Sequence, residues 1–355
     1  MTQTITIQAA TSFEETLALM RAKLERLLPP AEIELKAELA FQINQLKREM
    51  NAVILGHNYM EPALYCSVPD YVGDSLELSR VSAETEADTI VFCGVQFMAE
   101  TAKILNPSKT VLIPSQKAGC SLASGITPGD ILHLRERYPD AVVVTYVNTY
   151  AAAKAESDYS CTSGNASKMV RHLIDQGHKQ VMLLPDEFLA RNTALELGIP
   201  YIQATSDNAP TAPETALIGW TARCEVHDEF RADDVHNARK QFPEVTVLAH
   251  PECRPEVTEV SDVVGSTKQI LQYIETHEDT NQLLLLTECA MGDNVAAEFP
   301  EKEILRMCSV RCPHMNQITL QDTLEALQKM QYAVELDEDV IKRARTPIDR
   351  MLSIG

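Results

Sequence analysis

The first fifty residues have the hydrophobic pattern of two helices. Apolar side chains recur at helical spacing over residues 14–28, at Leu17, Met20, Leu24, Leu27 and Leu28, and Pro29-Pro30 ends this helix. A second predicted helix runs from about Glu32 to Met50 with the same spacing. The pair predicts a helical N-terminal arm, residues 1–50, without site chemistry of its own.

From Asn51 onward the pattern changes to short apolar strands that alternate with helical stretches. The predicted strands are 52–55, 89–92, 110–113, 142–146, 181–184, 245–248 and 283–286. Continuous apolar runs of this length, separated by helical segments, are typical of parallel α/β units. The sequence therefore predicts the α/β fold class.

Three stretches of the chain repeat one order of elements. Each begins with a strand that runs into a polar end: VILGHNY (53–59), VVTYVNT (143–149) and VLAHPEC (247–253). A small-residue turn before a helix follows, in FCGVQFMAETAKIL, CTSGNASKMVRHL and VVGSTKQILQYI. A further strand and polar loop close each copy, in VLIPSQKAGC, VMLLPDEF and LLLLTECAMG. We interpret these as three βαβαβ-like repeats, residues 51–122, 123–226 and 227–325, followed by a C-terminal helical segment, 326–355.

Composition and charge exclude several classes of protein. With 45% hydrophobic residues the chain has enough apolar material for a core, which excludes a disordered protein. The formal net charge of -20 argues against nucleic-acid and anionic-membrane partners, since both are bound by basic surfaces. No apolar run approaches the ~20 residues that span a bilayer. The N-terminal residues lack the features of a secretory signal, so we expect a cytoplasmic protein.

Three of the nine cysteines are spaced at roughly one per repeat. They are Cys120, Cys224 and Cys312, separated by 104 and 88 residues. Distant single cysteines do not form a local zinc knuckle, but three thiolates could hold a [4Fe–4S] cluster with one iron open to substrate. Most of the other cysteines would be small buried apolar residues. Cys308 is either a neighbour of the third ligand or a spectator.

The hydroxyl-rich turns and the polar strand ends supply the other candidate residues. VGDS (72–75), CTSGNAS (161–167) and VGSTK (264–268) place small and hydroxyl residues where helices begin. Such turns either cap the helices or bind carboxylate and phosphate groups. The acid–base candidates at the strand ends are His57, Tyr59, Tyr146, Asn148, His227, His250 and Glu252. Because ligands bind at the carboxyl ends of parallel strands, we expect one shared site.

Taken together, the motifs resemble those of the quinolinate synthase family of NAD biosynthesis. They are GHNYMEP, PDYVGDSLELS, FCGVQFMAET, AGCSLA, TYVNTYAAAKAESDYSCTSGNA, VHDEF, HPEC, VGST and CPHM, in this order between Asn51 and Met315. The resemblance implies a condensing transferase that makes quinolinate, phosphate and two waters from iminoaspartate and dihydroxyacetone phosphate. It implies functional coupling to L-aspartate oxidase. It also implies three pseudo-symmetric, three-layer αβα domains with short parallel sheets around a central active site.

The resemblance also implies roles for individual residues. A [4Fe–4S] cluster would be held by Cys120, Cys224 and Cys312. The substrate-binding residues would be His57, Ser75, Met98, Tyr146, Asn148, Ser163, His227, His250, Glu252, Ser266 and Thr267. Glu252, Tyr59, Tyr146 and His57 are the candidates for catalysis. Some relatives have a C-x2-C-x2-C run before the third ligand, whereas this chain has C-x3-C, which puts any disulfide there in doubt.

Two other functions are compatible with an open iron. A cluster-dependent hydro-lyase acting on a small carboxylic acid would need the same iron site. A non-enzymatic iron–sulfur redox sensor is the second alternative, although this acidic chain has no DNA-binding module. An assay for quinolinate formation from iminoaspartate and dihydroxyacetone phosphate distinguishes between the three functions.

Overall fold

The structure is a computed structural model that describes residues 9–307 and 309–354. Its strands are parallel and form three short sheets flanked by helices, which confirms the predicted α/β class. The strands are β1 Ala52–His57, β2 Tyr71–Gly73, β3 Thr89–Cys93, β4 Thr110–Leu112, β5 Val142–Tyr146, β6 Tyr159–Cys161, β7 Gln180–Leu184, β8 Tyr201–Gln203, β9 Ala216–Gly219, β10 Thr246–Ala249, β11 Val263–Val264, β12 Gln282–Leu286 and β13 Glu303–Arg306.

The helices lie between and around these strands. They are α1 Phe13–Leu24, α2 Pro30–Glu49, α3 Pro62–Tyr65, α4 Ser75–Glu84, α5 Gln96–Leu105, α6 Pro128–Arg137, α7 Ala151–Lys154, α8 Ala166–Asp175, α9 Glu187–Leu197, α10 Ala232–Gln241, α11 Pro255–Val260, α12 Thr267–Thr276, α13 Cys289–Glu298, α14 Leu320–Lys329 and α15 Glu338–Ile354. Short 3-10 helices include Ala123–Gly125, His227–Glu229 and Met315–Gln317. Among the described helices, none has both the length and the hydropathy that crossing a membrane requires.

The chain forms two compact units. Unit 1 consists of residues 1–119 and 274–335, and unit 2 consists of residues 120–273 and 336–355. In unit 1 the predicted N-terminal helices are present, and α2 packs against α1, β1 and α14. In unit 2 the C-terminal helix α15 packs against β6 and α7. The finer division into three repeats and two helical segments stays a prediction.

Apolar strands and one face of each neighbouring helix form the cores. In unit 1, Ile54 and Leu55 of β1 and Ile90 and Val91 of β3 are inaccessible to solvent. In unit 2, strand residues such as Val143 and Met182 pack with the apolar face of α6. Burial of both faces of the sheets explains why these strands have continuous apolar sequences instead of alternating ones.

Strand pairing shows which parts of the three repeats are equivalent. The first strand of each repeat pairs with a short second strand, in β1–β2, β5–β6 and β10–β11. The third strand pairs with a later one, in β3–β4, β7–β9 and β12–β13. The turn FCGVQ follows β3, a third strand. The prediction that this turn is equivalent to CTSGNAS and VVGST is therefore wrong. The second strand of the first repeat is β2, which is too short to be recognised from the sequence, and the equivalent turn that follows it is VGDS.

An aspartate before each short second strand makes the same contacts in all three repeats. The carboxylate accepts the N–H of a first-strand residue, at 2.7 Å for Asp70 and 2.8 Å for Asp158 and Asp262. It also pairs with a cation on the preceding helix, in Lys47–Asp70, Arg135–Asp158 and Arg239–Asp262. These shared contacts fix the register of the second strand, and therefore the position of the turn that follows it.

Candidate active site

In unit 2, Glu252 lies at the centre of a buried polar cluster. It follows β10, and its side chain is almost inaccessible to solvent. His227 Nδ1 lies 2.7 Å from Glu252 Oε2, and Asn148 Nδ2 donates to Oε1 at 3.3 Å. Tyr146, the last residue of β5, also hydrogen-bonds to this carboxylate. Four predicted site residues from the second and third repeats are therefore brought together. Three of them follow or end strands, whereas the prediction of His227 at a strand end was wrong, because it begins the 3-10 helix His227–Glu229.

The surroundings of Glu252 keep its carboxyl group ionised. Burial alone would raise the pKa of Glu252. The facing His227, and then the hydrogen bond from Tyr146, outweigh burial and hold the pKa well below its usual range. Glu252 is therefore present as a carboxylate, the form that accepts a proton.

The two histidines of this cluster stack on each other. The ring centroids of His227 and His250 are 4.4 Å apart with the planes at 21°. The backbone N–H of Glu252 donates to His250 Nδ1 at 3.3 Å, so the proton of a neutral His250 lies on Nε2. Nε2 lies 3.2 Å from Ser163 Oγ and can donate to it. This contact fixes the predicted hydroxyl of the second repeat beside the predicted histidine of the third.

In unit 1, His57 and Tyr59 repeat part of this arrangement. The backbone N–H of Tyr59 donates to His57 Nδ1 at 3.2 Å, as the N–H of Glu252 does to His250. The two rings make an edge contact with centroids 4.7 Å apart. Tyr59 Oη lies 2.6 Å from Oγ1 of Thr287, which follows β12 and which the sequence analysis missed. Met98, on α5, is buried, with its Sδ atom against Gly94, where an added Cβ would lie only 2.9 Å away.

In the hydroxyl-rich turns, some residues cap helices, and others have no capping role and are candidate ligands. Asp74 caps α4 and Ser266 accepts the N–H of Gln269 at the start of α12, so Ser75 and Thr267 are the first helical residues. Ser163 lies three residues before α8, whose N-cap is another residue. An added Cβ at Gly164 would approach Ser266 Oγ to 3.1 Å, so glycine lets the second and third turns lie close together. Together these turns place hydroxyl and N–H groups side by side in unit 2.

The three candidate cluster cysteines differ from the other described cysteines in exposure. All eight cysteines described by the structure are free, and five of them are buried: Cys66, Cys93, Cys161, Cys253 and Cys289. Cys120, Cys224 and Cys312 are partly exposed. Cys308 lies outside the described residues. A cofactor ligand must be reachable while a packing cysteine need not be, so exposure selects the same three residues as the spacing.

The three cysteines also occupy equivalent local structures. Each begins a turn that leads into one of the 3-10 helices, and a ten-residue helix begins eight residues after it: α6, α10 and α14. The N–H three residues later donates to the cysteine Sγ, at 3.5 Å for both Cys120 and Cys312, and the same bond is present at Cys224. Backbone N–H donors to sulfur are typical partners of iron–sulfur ligands.

Within unit 2, the loops of Cys120 and Cys224 are neighbours. Ser121 Oγ donates to Glu225 Oε1 at 2.7 Å, which joins the residues that follow the two cysteines. Although Cys224 as a whole residue is partly exposed, its thiol is buried. This burial raises the pKa of the thiol, and the charges of Glu252 and Cys120 raise it further. Cys224 Sγ, His227 Nδ1 and a Glu252 oxygen all lie within 4.8 Å of one another. A cationic metal group would remove this electrostatic cost, so the donor set fits a bound metal group.

Two acidic residues that the sequence analysis missed lie behind the cysteine loops. Asp186 follows β7 and Glu288 follows β12, and each is the N-cap of the next helix. Burial, and then the charge of Glu252, raises the pKa of Asp186. Burial raises the pKa of Glu288 to about 7. An acidic residue at the N-cap of the helix that follows the third strand of a repeat is the sequence signal that could have identified them.

Known proteins share the sequence over most of this chain. The family model described as Quinolinate synthetase A protein matches residues 41–353. A protein named Quinolinate synthase, from Agrobacterium fabrum, is 48% identical over 332 residues, 94% of this chain and 90% of that protein. Quinolinate synthase 2 of Mesorhizobium japonicum is 46% identical over 343 residues, 97% of this chain and 99% of its own length. Quinolinate synthase of Xylella fastidiosa strain 9a5c is 47% identical over 312 residues, 88% and 86% of the two chains.

Both the family match and the identities extend over both compact units. The matched region contains every candidate site residue, from His57 to Cys312. The chain belongs to the quinolinate synthetase A family.

Proposed function

We propose that this chain is a quinolinate synthase that condenses iminoaspartate with dihydroxyacetone phosphate. The products are quinolinate, phosphate and two waters. The observation that carries the proposal is the matching local structure of Cys120, Cys224 and Cys312, which are the partly exposed cysteines among those described. The names of the relatives support it over the alternatives of a hydro-lyase and a redox sensor.

The three cysteines would hold a [4Fe–4S] cluster. Such a cluster usually has four cysteine ligands, so three leave one iron without a protein ligand. When bound, such a cluster would supply Lewis-acid chemistry for polarising a substrate oxygen and assisting loss of hydroxide. The N–H groups that donate to the three sulfurs support thiolate ligands at these positions.

Local donors would bind the anionic substrates. The chain has a net charge of -20, so the overall field of the protein repels both substrates. The hydroxyl of Ser163 beside His250, and the helix starts at Ser75 and Thr267, provide the kind of donors that bind carboxylate and phosphate. Buried Asn148 Oδ1 has no hydrogen-bond partner among the described residues, which suits an acceptor for an N–H or O–H of substrate.

Two groups would transfer protons. The Glu252 carboxylate is the base, with its position held by His227, Tyr146 and Asn148. The Tyr59 hydroxyl, positioned by Thr287, is the candidate proton donor, with His57 beside it. Two groups of opposite role suit the interconversion of carbonyl and enol forms.

An anaerobic assay with both substrates tests the proposed activity. Protein purified without oxygen is mixed with iminoaspartate and dihydroxyacetone phosphate, and quinolinate and phosphate are measured. The proposal predicts equal amounts of the two products and dependence on both substrates. A protein that carries a cluster but forms no quinolinate would contradict the proposed reaction, and hydration of a small carboxylic acid would favour the hydro-lyase.

Cysteine variants test the ligand assignment. Cys120→Ala, Cys224→Ala and Cys312→Ala should each lose iron and activity, because each removes one of three ligands. Cys66→Ala and Cys161→Ala are matched controls, since both thiols are buried in cores. Iron content and circular dichroism are measured for each variant. A folded Cys161→Ala without a cluster, or a Cys312→Ala with normal iron, would contradict the assignment.

A further inference from the structure

The backbone N–H of each candidate cluster ligand donates to a side-chain oxygen. The N–H of Cys224 donates to Asp186 Oδ2 at 3.3 Å, and that of Cys312 donates to Glu288 Oε1 at 3.2 Å. The N–H of Cys120 donates to Tyr150 Oη at 3.3 Å. One acceptor therefore serves each of the three cysteines, although the acceptors are of different chemical types.

The two carboxylates tie the cysteine loops to helix starts. Asp186 Oδ1 accepts the N–H of Leu189 at 2.7 Å and caps α9, while its other oxygen accepts from Cys224. Glu288 Oε2 accepts the N–H of Ala290 at 2.6 Å at the start of α13, while its other oxygen accepts from Cys312. Each acid is thus a bridge between a rigid helix and one ligand loop.

A backbone hydrogen bond secures each loop two residues before the cysteine. The carbonyls of Ala118, Ala222 and Val310 accept N–H groups from the first residues of α5, α9 and α13, at 2.8, 2.8 and 3.1 Å. The loop is therefore held at two points, and the second point is at the cysteine itself. Together these bonds fix the backbone direction from which Cβ and Sγ project.

In the first repeat, the acceptor of the cysteine N–H is not the N-cap of the neighbouring helix. The N-cap of α5 is Val95, which has no side-chain oxygen to accept the N–H of Cys120. Tyr150 takes that role from the second repeat, two residues after Asn148, as Tyr59 follows His57 and Glu252 follows His250. The acceptor is present in all three cases even though the residue that supplies it has changed.

We propose that Tyr150, Asp186 and Glu288 are positioning residues that hold the three cluster cysteines in the orientation needed for iron binding. This inference rests on the proposed cluster. Cluster ligands on loops bind well only when supporting hydrogen bonds fix their geometry. The buried carboxylates are retained because each joins two N–H donors that would otherwise lose their partner.

Three substitutions remove these bonds with small structural change. Asp186→Ser keeps a hydroxyl able to cap α9 and removes the second oxygen, Oδ2, which accepts the N–H of Cys224. Glu288→Gln keeps the size of the side chain and replaces one of the two acceptor oxygens by an N–H₂ donor. Tyr150→Phe removes only the hydroxyl. Ser12→Ala is the control, because it removes the cap of α1, which carries no site residue.

Amide exchange in the cluster-free protein tests the bonds directly. Protein labelled with ¹⁵N-cysteine reports each cysteine N–H separately. In Asp186→Ser the exchange of the Cys224 amide should become about tenfold faster, the factor that corresponds to ~1.4 kcal/mol. The amide of buried Cys161 serves as the internal reference. Glu288→Gln should speed exchange of the Cys312 amide alone, and Tyr150→Phe should speed exchange of the Cys120 amide alone.

Cluster retention tests the functional part of the inference. After anaerobic reconstitution, the rate of iron loss to a chelator should rise about tenfold in each of the three variants and stay unchanged in Ser12→Ala. Unchanged cysteine exchange in the variants would overturn the inference, as would faster exchange with wild-type iron retention. Since the three residues are divided between two units, failure of one variant to fold leaves the other two informative. If the wild-type protein takes up no cluster, the proposed function fails first, and this inference fails with it.

Discussion

The role of Glu252 as a base leads to a quantitative prediction for Glu252→Gln. The carboxylate is buried and accepts hydrogen bonds from Asn148 and from His227 at 2.7 Å when that histidine carries its proton on Nδ1. Gln has nearly the same shape, and its carbonyl oxygen can still accept from Asn148. Its amide cannot accept a proton, and it cannot form the ion pair with His227.

The expected change in stability is small compared with the expected change in rate. At 2.7 Å and an effective dielectric constant of about 20, two unit charges attract by roughly 6 kcal/mol. Desolvation of two buried ions costs several kcal/mol each and offsets much of this attraction. The net effect of replacing the carboxylate by an amide is the loss of one buried hydrogen-bond acceptor, so we expect a loss of about 1–2 kcal/mol in unfolding free energy. Loss of a general base lowers kcat by about 10²–10⁴-fold.

The assay compares three proteins under anaerobic conditions. Wild type, Glu252→Gln and Glu298→Gln are each measured for kcat, for iron content and for melting temperature. Glu298 is the control, because this carboxylate at the end of α13 pairs with Lys23 of α1, and neither helix carries a candidate site residue. Glu298→Gln should change the melting temperature little and leave kcat within about twofold of wild type.

Two outcomes would refute this reasoning. If Glu252→Gln turns over at a rate near that of wild type with normal iron content, then Glu252 is not the base. If it loses both its iron and its folded state while Glu298→Gln does not, the carboxylate of Glu252 is required for structure, and the rate no longer identifies a proton acceptor. The predicted result is a folded protein with normal iron and little turnover.

Further substitutions test the hydroxyl groups. Ser163→Ala should raise KM about tenfold without lowering the melting temperature, because Ser163 contacts His250 and caps no helix. Ser266→Ala should cost about 0.5–2 kcal/mol of stability, since its hydroxyl accepts the N–H of Gln269 at the start of α12. Thr267→Ala should raise KM about tenfold; a lower melting temperature with unchanged KM for both substrates would make Thr267 purely structural. Tyr59→Phe should lower kcat by at least tenfold and leave the iron content normal, and a normal kcat would exclude Tyr59 as the proton donor.

Most of the fold could be predicted from the sequence because its signal is local. The seven predicted strands all exist, with ends shifted by at most two residues, since each is a continuous apolar run. The short strands β2 and β11 have three and two residues, too few for a hydrophobic pattern. They are defined instead by Asp70 and Asp262, whose contacts depend on the first strand and the preceding helix.

Some residues of the candidate site could be predicted from the sequence, and others could not. His57, His250 and Glu252 could be predicted because strand ends of parallel sheets are where ligands bind. Asp186 and Glu288 have a sequence signal as acidic N-caps after equivalent strands, but their contacts with cysteine N–H groups have none. Thr287 could not be predicted, because its importance depends on the hydroxyl of Tyr59, which is distant in sequence. Tyr150 lay inside a quoted motif, but its contact with the N–H of Cys120 has no sequence signal.

The central claim is that three equivalent cysteines hold one iron–sulfur cluster. The most direct test is the iron and acid-labile sulfide content of anaerobically purified protein, measured for wild type and for Cys120→Ala, Cys224→Ala and Cys312→Ala. We predict about four iron and four sulfide per wild-type chain, and large losses of both in each variant. Wild-type protein with iron but no sulfide, or a variant that keeps the full complement of both, would contradict the claim.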